Sequence, residues 1–137
     1  MTPLYPGPPM MAGGTIGPCK IVKQDTTGDF EVLQAGANDP AFGVSQEGQK
    51  ATPGLVGSDA DVAAEDGDPI QVICIGTALV KLGGTVTRGD YVEADANGDA
   101  VTASGAGEHY VVGKALESGT DDQFRKVWVF PQKITIA

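Results

Sequence analysis

Apolar and polar positions alternate along this chain in short bursts. The clearest lie at 30–33, 69–75, 91–94, 110–116 and 125–130. A period near two puts the apolar groups of each burst on one face of a strand. Three bursts follow a Gly-Asp pair directly: Gly28-Asp29, Gly67-Asp68 and Gly89-Asp90. A fourth pair, Gly98-Asp99, opens Ala100-Val101-Thr102. Glycine takes up positive φ freely, and aspartate caps turned backbone with its own carboxylate. Short strands between tight turns build a small β-barrel or sandwich. The pattern predicts an all-β fold, a small barrel or sandwich of about eight to ten short strands. It has an extended N-terminal arm and at most one short helix.

Other segments complete the expected order. Cys19 to Val22 begins the first strand. Asn38-Asp39-Pro40 suits one capped helical turn. Residues 45–66 are polar and acidic, with Pro53 and Gly54, and predict a long surface loop with one weak strand near Leu55-Val56. The runs 69–75 and 77–82 pair around Gly76, and the first is apolar on both faces, as in a buried strand. Asp95-Ala96-Asn97-Gly98-Asp99 contains Asn-Gly, a strong hairpin signal. Pro131 ends the strand at 125–130, and Ile134-Thr135-Ile136 adds a last edge.

Residues 1–18 are different. Five prolines and four glycines exclude helix and sheet interior, and there is no charge. A solvated tail is polar and charged. This segment instead carries Leu4, Tyr5, Met10, Met11 and Ile16. It reads as an arm that orders against a partner, with those side chains as anchors. The expected organisation is an arm over 1–18 and a barrel over 19–137.

Composition narrows the function. The 137 residues include 20 Gly, 9 Pro and few aromatics, which favours turns and thin strands over long helices. Nine basic residues against eighteen acidic leave a net charge of −9, which disfavours phosphate backbones as partners. No nucleic acid, membrane or small-molecule substrate is expected. The first nineteen residues lack Lys and Arg and any long apolar run, so neither a leader nor a spanning segment is expected, and a cytoplasmic origin is the default. Cys19 and Cys74 are far apart in sequence and outside any CxxC spacing; two free thiols or one disulfide both remain open.

No catalytic kit is visible. Nucleophilic triads need a histidine, and His109 stands alone at a loop-to-strand junction. Asp59, Asp61, Glu65, Asp66 and Asp68 lack the order of a calcium loop, and the spacing from Gly107 to Lys114 is not that of a phosphate loop. Arg88-Gly89-Asp90 reads as a turn. Trp128 and Phe130 share one strand face, opposite Val127 and Val129, and suit core packing or a subunit contact. Neither enzyme activity nor a cofactor or metal is expected. A small-ligand barrel, with a pocket near Tyr91, Tyr110 or Trp128, is the alternative in this class.

Taken in order, several phrases carry a family resemblance. They are Ile21-Val22-Lys23-Gln24-Asp25, Asp29-Phe30-Glu31-Val32, Gln34-Ala35-Gly36 and 42–48 in the front half. In the back half they are 67–73, 89–95 with Gly98, and 112–117. Over residues 19–130 the chain resembles the tailed-phage capsid decoration, or cement, proteins. That resemblance implies a β-barrel or β-tulip body, sitting as a homotrimer on the outer surface of a phage head. Its partner is then the major capsid protein, and its role is to stabilise capsomer junctions. A tail or spike component of the virion is the alternative.

Overall fold

The computed structural model describes residues 10–48 and 62–137. Ten strands run through them, and no helix occurs among the described residues. The strands are β1 Met10–Ala12, β2 Ile21–Gln24, β3 Glu31–Gln34, β4 Gly43–Gly48 and β5 Pro69–Ile73. Then follow β6 Gly76–Lys81, β7 Tyr91–Ala94, β8 Ala100–Thr102, β9 Gly107–Ala115 and β10 Phe124–Ile136. The all-β expectation and the strand number hold.

The two halves repeat one topology. Strands β1 to β5 form a closed barrel in the order β1-β3-β2-β4-β5. Strands β6 to β10 form a sheet in the order β6-β10-β9-β7-β8. Renumbered within its own half, the sheet has the same cyclic order as the barrel. The parallel pairing of β1 with β3 returns as a parallel bridge between Leu82 and Ala100. The antiparallel bridge from Ile16 to Ala64 returns from Val86 to Gly119. The sequence repeats too: Gly13-Gly14-Thr15 reappears as Gly83-Gly84-Thr85, Val22 as Val92, and Asp25 as Asp95. In each half a Cβ on the first glycine would run into the carboxylate of that aspartate, so the glycine is required by close approach. The halves are called here unit one and unit two.

Each unit uses one turn twice. At 65–68, 87–90 and 120–123 the fourth residue's N–H donates to the first residue's carbonyl, at 2.9, 3.0 and 3.1 Å. The fourth side chain (Asp68, Asp90 or Gln123) accepts from the first N–H in return. The third residue has positive φ at Gly67, Gly89 and Asp122. At 17–20 the left-handed residue is Cys19, and the buried Ser45 hydroxyl joins the turn's ends instead. The Gly-Asp reading thus succeeds at Gly67-Asp68 and Gly89-Asp90. At Gly28-Asp29 the left-handed residue is Phe30, at φ 56°.

Other expectations need correction. Residues 45–48 belong to β4, and Ala63 and Ala64 are buried, so the long surface loop is not one throughout. Its weak strand at Leu55-Val56, with Asp59 and Asp61, lies outside the described residues. Asn38 turns left-handed, at φ 67°, and Asp39 accepts from the Gly36 N–H at 2.8 Å, so no helical turn forms. Strands β5 and β6 do not pair: β5 joins β1 and β4, while β6 joins β10, and Gly76 carries the chain between units. Pro131 does not end its strand. It sits at a bulge just past the last β6 partner, where a missing N–H breaks no ladder bond. The Asn-Gly hairpin forms with a three-residue loop, closed by Asp95 N–H to Asp99 O at 2.9 Å and with Gly98 at φ 78°.

The expected arm is folded in from Met10 onward. Strand β1 closes the barrel, and Met10, Ala12 and Ile16 are buried in its core with Val22, Val32 and Val72. The physical reason is local: 10–12 contains no proline, so its backbone can pair on both edges.

Candidate functional site

Among the described residues, the fully buried hydrophobic side chains are aliphatic, with Met10 and Cys19. None of the seven described aromatic residues is fully buried. Phe30 is 65% exposed, Trp128 45% and Tyr110 37%, while Phe42, Tyr91, Phe124 and Phe130 are half-buried. Aromatic side chains carry the largest apolar areas a chain has, and their exposure points to contact surfaces.

One such surface lies on the outer face of unit two. The register sets Thr77 beside Trp128, Trp128 beside Lys114, and Lys114 beside Tyr91. The Lys114 ammonium stands 4.8 Å from the centre of the Tyr91 ring, a cation–π contact. Leu116, 48% exposed, donates its N–H to Lys126 O and extends the face. Val127 and Val129 point inward and are fully buried, as the alternation required.

A second surface lies on unit one. Met11, 42% exposed, donates its N–H to Phe30 O at 2.8 Å. Of the three described arm residues singled out by the sequence, Met11 alone is exposed. Met10 and Ile16 support the barrel, and Leu4 and Tyr5 lie outside the described residues. Sequence reading missed Phe30, whose φ of 56° at a hairpin tip holds it away from the core.

The joint between the units was also missed. Lys20 and Asp99 form an ion pair there, with Lys81 Nζ 3.8 Å from the second Asp99 oxygen and 3.2 Å from Asp122. Lys20, Lys81 and Asp99 are all at least 96% buried by side chain. The β7–β8 tip rests on unit one: Ile21 N–H donates to Gly98 O, and the Gln34 amide to Asn97 O, both at 2.8 Å. Three charged residues scattered at 20, 81 and 99 give no local signal in a sequence.

His109 places Nδ1 2.9 Å from Glu93 and Nε2 2.9 Å from Gly105 O. Both acceptors favour the imidazolium, and its pKa is raised, first by the Glu93 carboxylate. Both cysteines are free thiols; burial pushes Cys19 up to about 11.

These features define, over the described residues, a helix-free, twofold-repeated β module with Phe30, Tyr110 and Trp128 exposed on its surface. The chain belongs to the phage structural cement protein family, described by E217 gp24 and Pam3 gp6, whose sequence profile matches residues 4–127. The fold is similar to the head fiber gp8.5 N base of bacteriophage phi29, with a TM-score of 0.60 at 18% identity. That match covers 93% of this chain and 96% of the other. Comparison with curated protein sequences finds no match.

Proposed function

We propose that this protein binds the outer surface of a phage head through the major capsid protein and, as a homotrimer, stabilises the junctions between capsomers. The observation that carries the reading is membership of the structural cement family over residues 4–127. The physical support is the outward aromatic placement: contact surface is the resource this molecule offers. The role is mechanical, without catalysis or cofactor. Three linked copies would gain avidity from modest individual contacts.

In this reading Trp128 and Phe130 contribute to contacts between copies or with the head. Leu4 and Tyr5, with exposed Met11 behind them, form the leading contact segment. Binding of the purified protein to isolated heads before and after expansion tests the function. Saturable binding to expanded heads, with higher resistance to heat-induced DNA release, is the expected result. Absence of binding to either form overturns the proposal.

A further inference from the structure

The internal repeat fills one joint within the chain, and among the described residues no hairpin tip fills its counterpart. In unit one, the surface formed by Cys19, Lys20, Ile21, Gln34 and Ala35 receives the β7–β8 tip of unit two. Gly98 enters so closely that an added Cβ would stand 2.9 Å from Gln34 and 3.3 Å from the carbonyls of Ala35 and Ile21. The same positions in unit two are Gly89, Asp90, Tyr91, Thr102 and Ala103. The equivalence is fixed by matching bonds. Ala35 N–H to Ile21 O corresponds to Ala103 N–H to Tyr91 O, each at 2.9 Å. Ser45 N–H to Lys20 O corresponds to Ala115 N–H to Asp90 O.

Those five residues line an open cleft of about 580 Å³ in unit two, closed on its far side by Ile134, Thr135 and Ile136. The tip equivalent to the β7–β8 tip is the β2–β3 tip of unit one. Phe30 stands there where Gly98 stands in the other: both are left-handed, at φ 56° and 78°. Gly98 is buried in its joint, and Phe30 is 65% exposed.

We propose that the unit-two cleft receives the β2–β3 tip of a second copy of this chain, with Phe30 as the anchor. The inference rests on the trimer reading above and names its joint. The occupant is argued from the fold itself, which already seats one such tip on one such surface within a single chain. The side chains have changed to suit it. Thr102 replaces the longer Gln34, leaving room for a phenyl ring. Tyr91 stands where Ile21 does at the internal joint, and Ile134 and Ile136 add apolar side chains to the cleft lining. The ionic part is not copied: Asp90 is held by Thr87 N–H and the Thr102 hydroxyl, at 3.0 and 3.1 Å. Glu31, the counterpart of Asp99, lies folded over Gly28. The joint between copies is therefore apolar where the internal one is charged.

A tip on one unit and a cleft on the other make a head-to-tail contact, which closes as a ring when the rotation allows. Sedimentation velocity of the full chain tests it with Phe30→Gly and Thr102→Arg. The glycine relieves the left-handed backbone, and the arginine blocks the cleft. Wild type is expected at three times the 14.0 kDa chain mass, and both variants at one, with unchanged melting. In a Cys74→Ser background, a mixture of Asp29→Cys and Ala103→Cys chains is expected to form a disulfide-linked pair between copies, free or on heads. Variants that stay trimeric overturn this joint and leave the trimer standing. A wild type that is monomeric both free and on heads, without the cross-link, overturns the joint and the trimer together. A cross-link from Ala103→Cys to capsid protein assigns the cleft to that protein instead, and overturns the proposal.

Discussion

Lys20 and Asp99 meet as a buried ion pair across the joint of two repeated units, 79 positions apart in the sequence. Removing one partner leaves the other charge in a site that excludes water. Asp99→Ala, which takes the shared carboxylate from both Lys20 and Lys81, is expected to lower stability by about 3–5 kcal/mol, and Lys20→Ala, which leaves Asp99 beside Lys81, by less. Urea unfolding of the two single variants and the double variant measures this. A double variant no worse than either single one marks the pair as a unit; additive losses would show independent roles.

Gly98 is held at φ 78° with its Cα pressed against unit one. Gly98→Ala meets both a left-handed backbone and Gln34, and is expected to lose about 1–3 kcal/mol. The same change at Gly89, also left-handed but with nothing within 4 Å of the added carbon, tests the division. Its loss should stay near 1 kcal/mol, since only backbone conformation is disturbed. Equal losses at both positions would remove the close-approach argument.

His109 titrates from an elevated pKa because Glu93 and the Gly105 carbonyl both face it. A raised folded-state value stabilises the fold below the unfolded histidine pKa, about 6.5. That stabilisation disappears as pH rises through the folded value. The strand positions next to His109 and its partner Ile134 carry the Lys133–Glu108 pair, at 3.1 Å, which does not contribute to the shift. Urea midpoints of wild type and His109→Gln should differ at pH 5.5 and converge by pH 9. A difference that grows with pH would reverse the assignment.

The leading segment divides at Met10. Deleting residues 1–9 is expected to leave the barrel folded and to weaken attachment to heads. Deleting 1–16 also removes β1 and the buried Met10, Ala12 and Ile16, and should cost several kcal/mol, enough to unfold unit one. Circular dichroism and head-binding assays on the two truncations separate the effects. A folded protein lacking 1–16 would show that β1 is dispensable.

Trp128 is 45% exposed, so its loss should barely change folding. Trp128→Ala is expected to shift stability by less than about 1 kcal/mol, and to weaken assembly or head binding roughly 30-fold if it is an interface anchor. Melting temperature and binding isotherms read the two separately. Unchanged binding would place Trp128 outside the interface.

Much of the strand content was legible because it is local. Alternation at 91–94 and 125–130, and Gly-Asp turns at 67–68 and 89–90, are set by neighbouring residues and by backbone freedom at glycine. Period two alone put Val127 and Val129 on the face opposite Trp128; that the valine face is the buried one was decided by the packing of the sheet. Where the reading failed, the decisive contact was distant. Met10 and Ile16 read as free anchors because their partners, in β3, β5 and at Ala64, lie far along the chain. Pro131 read as a stop because the sequence does not show which strand edge is unpaired.

By itself the sequence determined an all-β chain of short strands with at most one short helix, which residues of a strand share a face, and a family resemblance. Those depend on residue type and spacing. Only the tertiary structure decided that the chain is one five-stranded topology used twice, that Lys20, Lys81 and Asp99 share a buried joint, and that Phe30 is left outside an equivalent one. Pairing between strands, and the meeting of charges far apart in sequence, are settled by closure of the two sheets, and closure leaves no mark on any short stretch of residues.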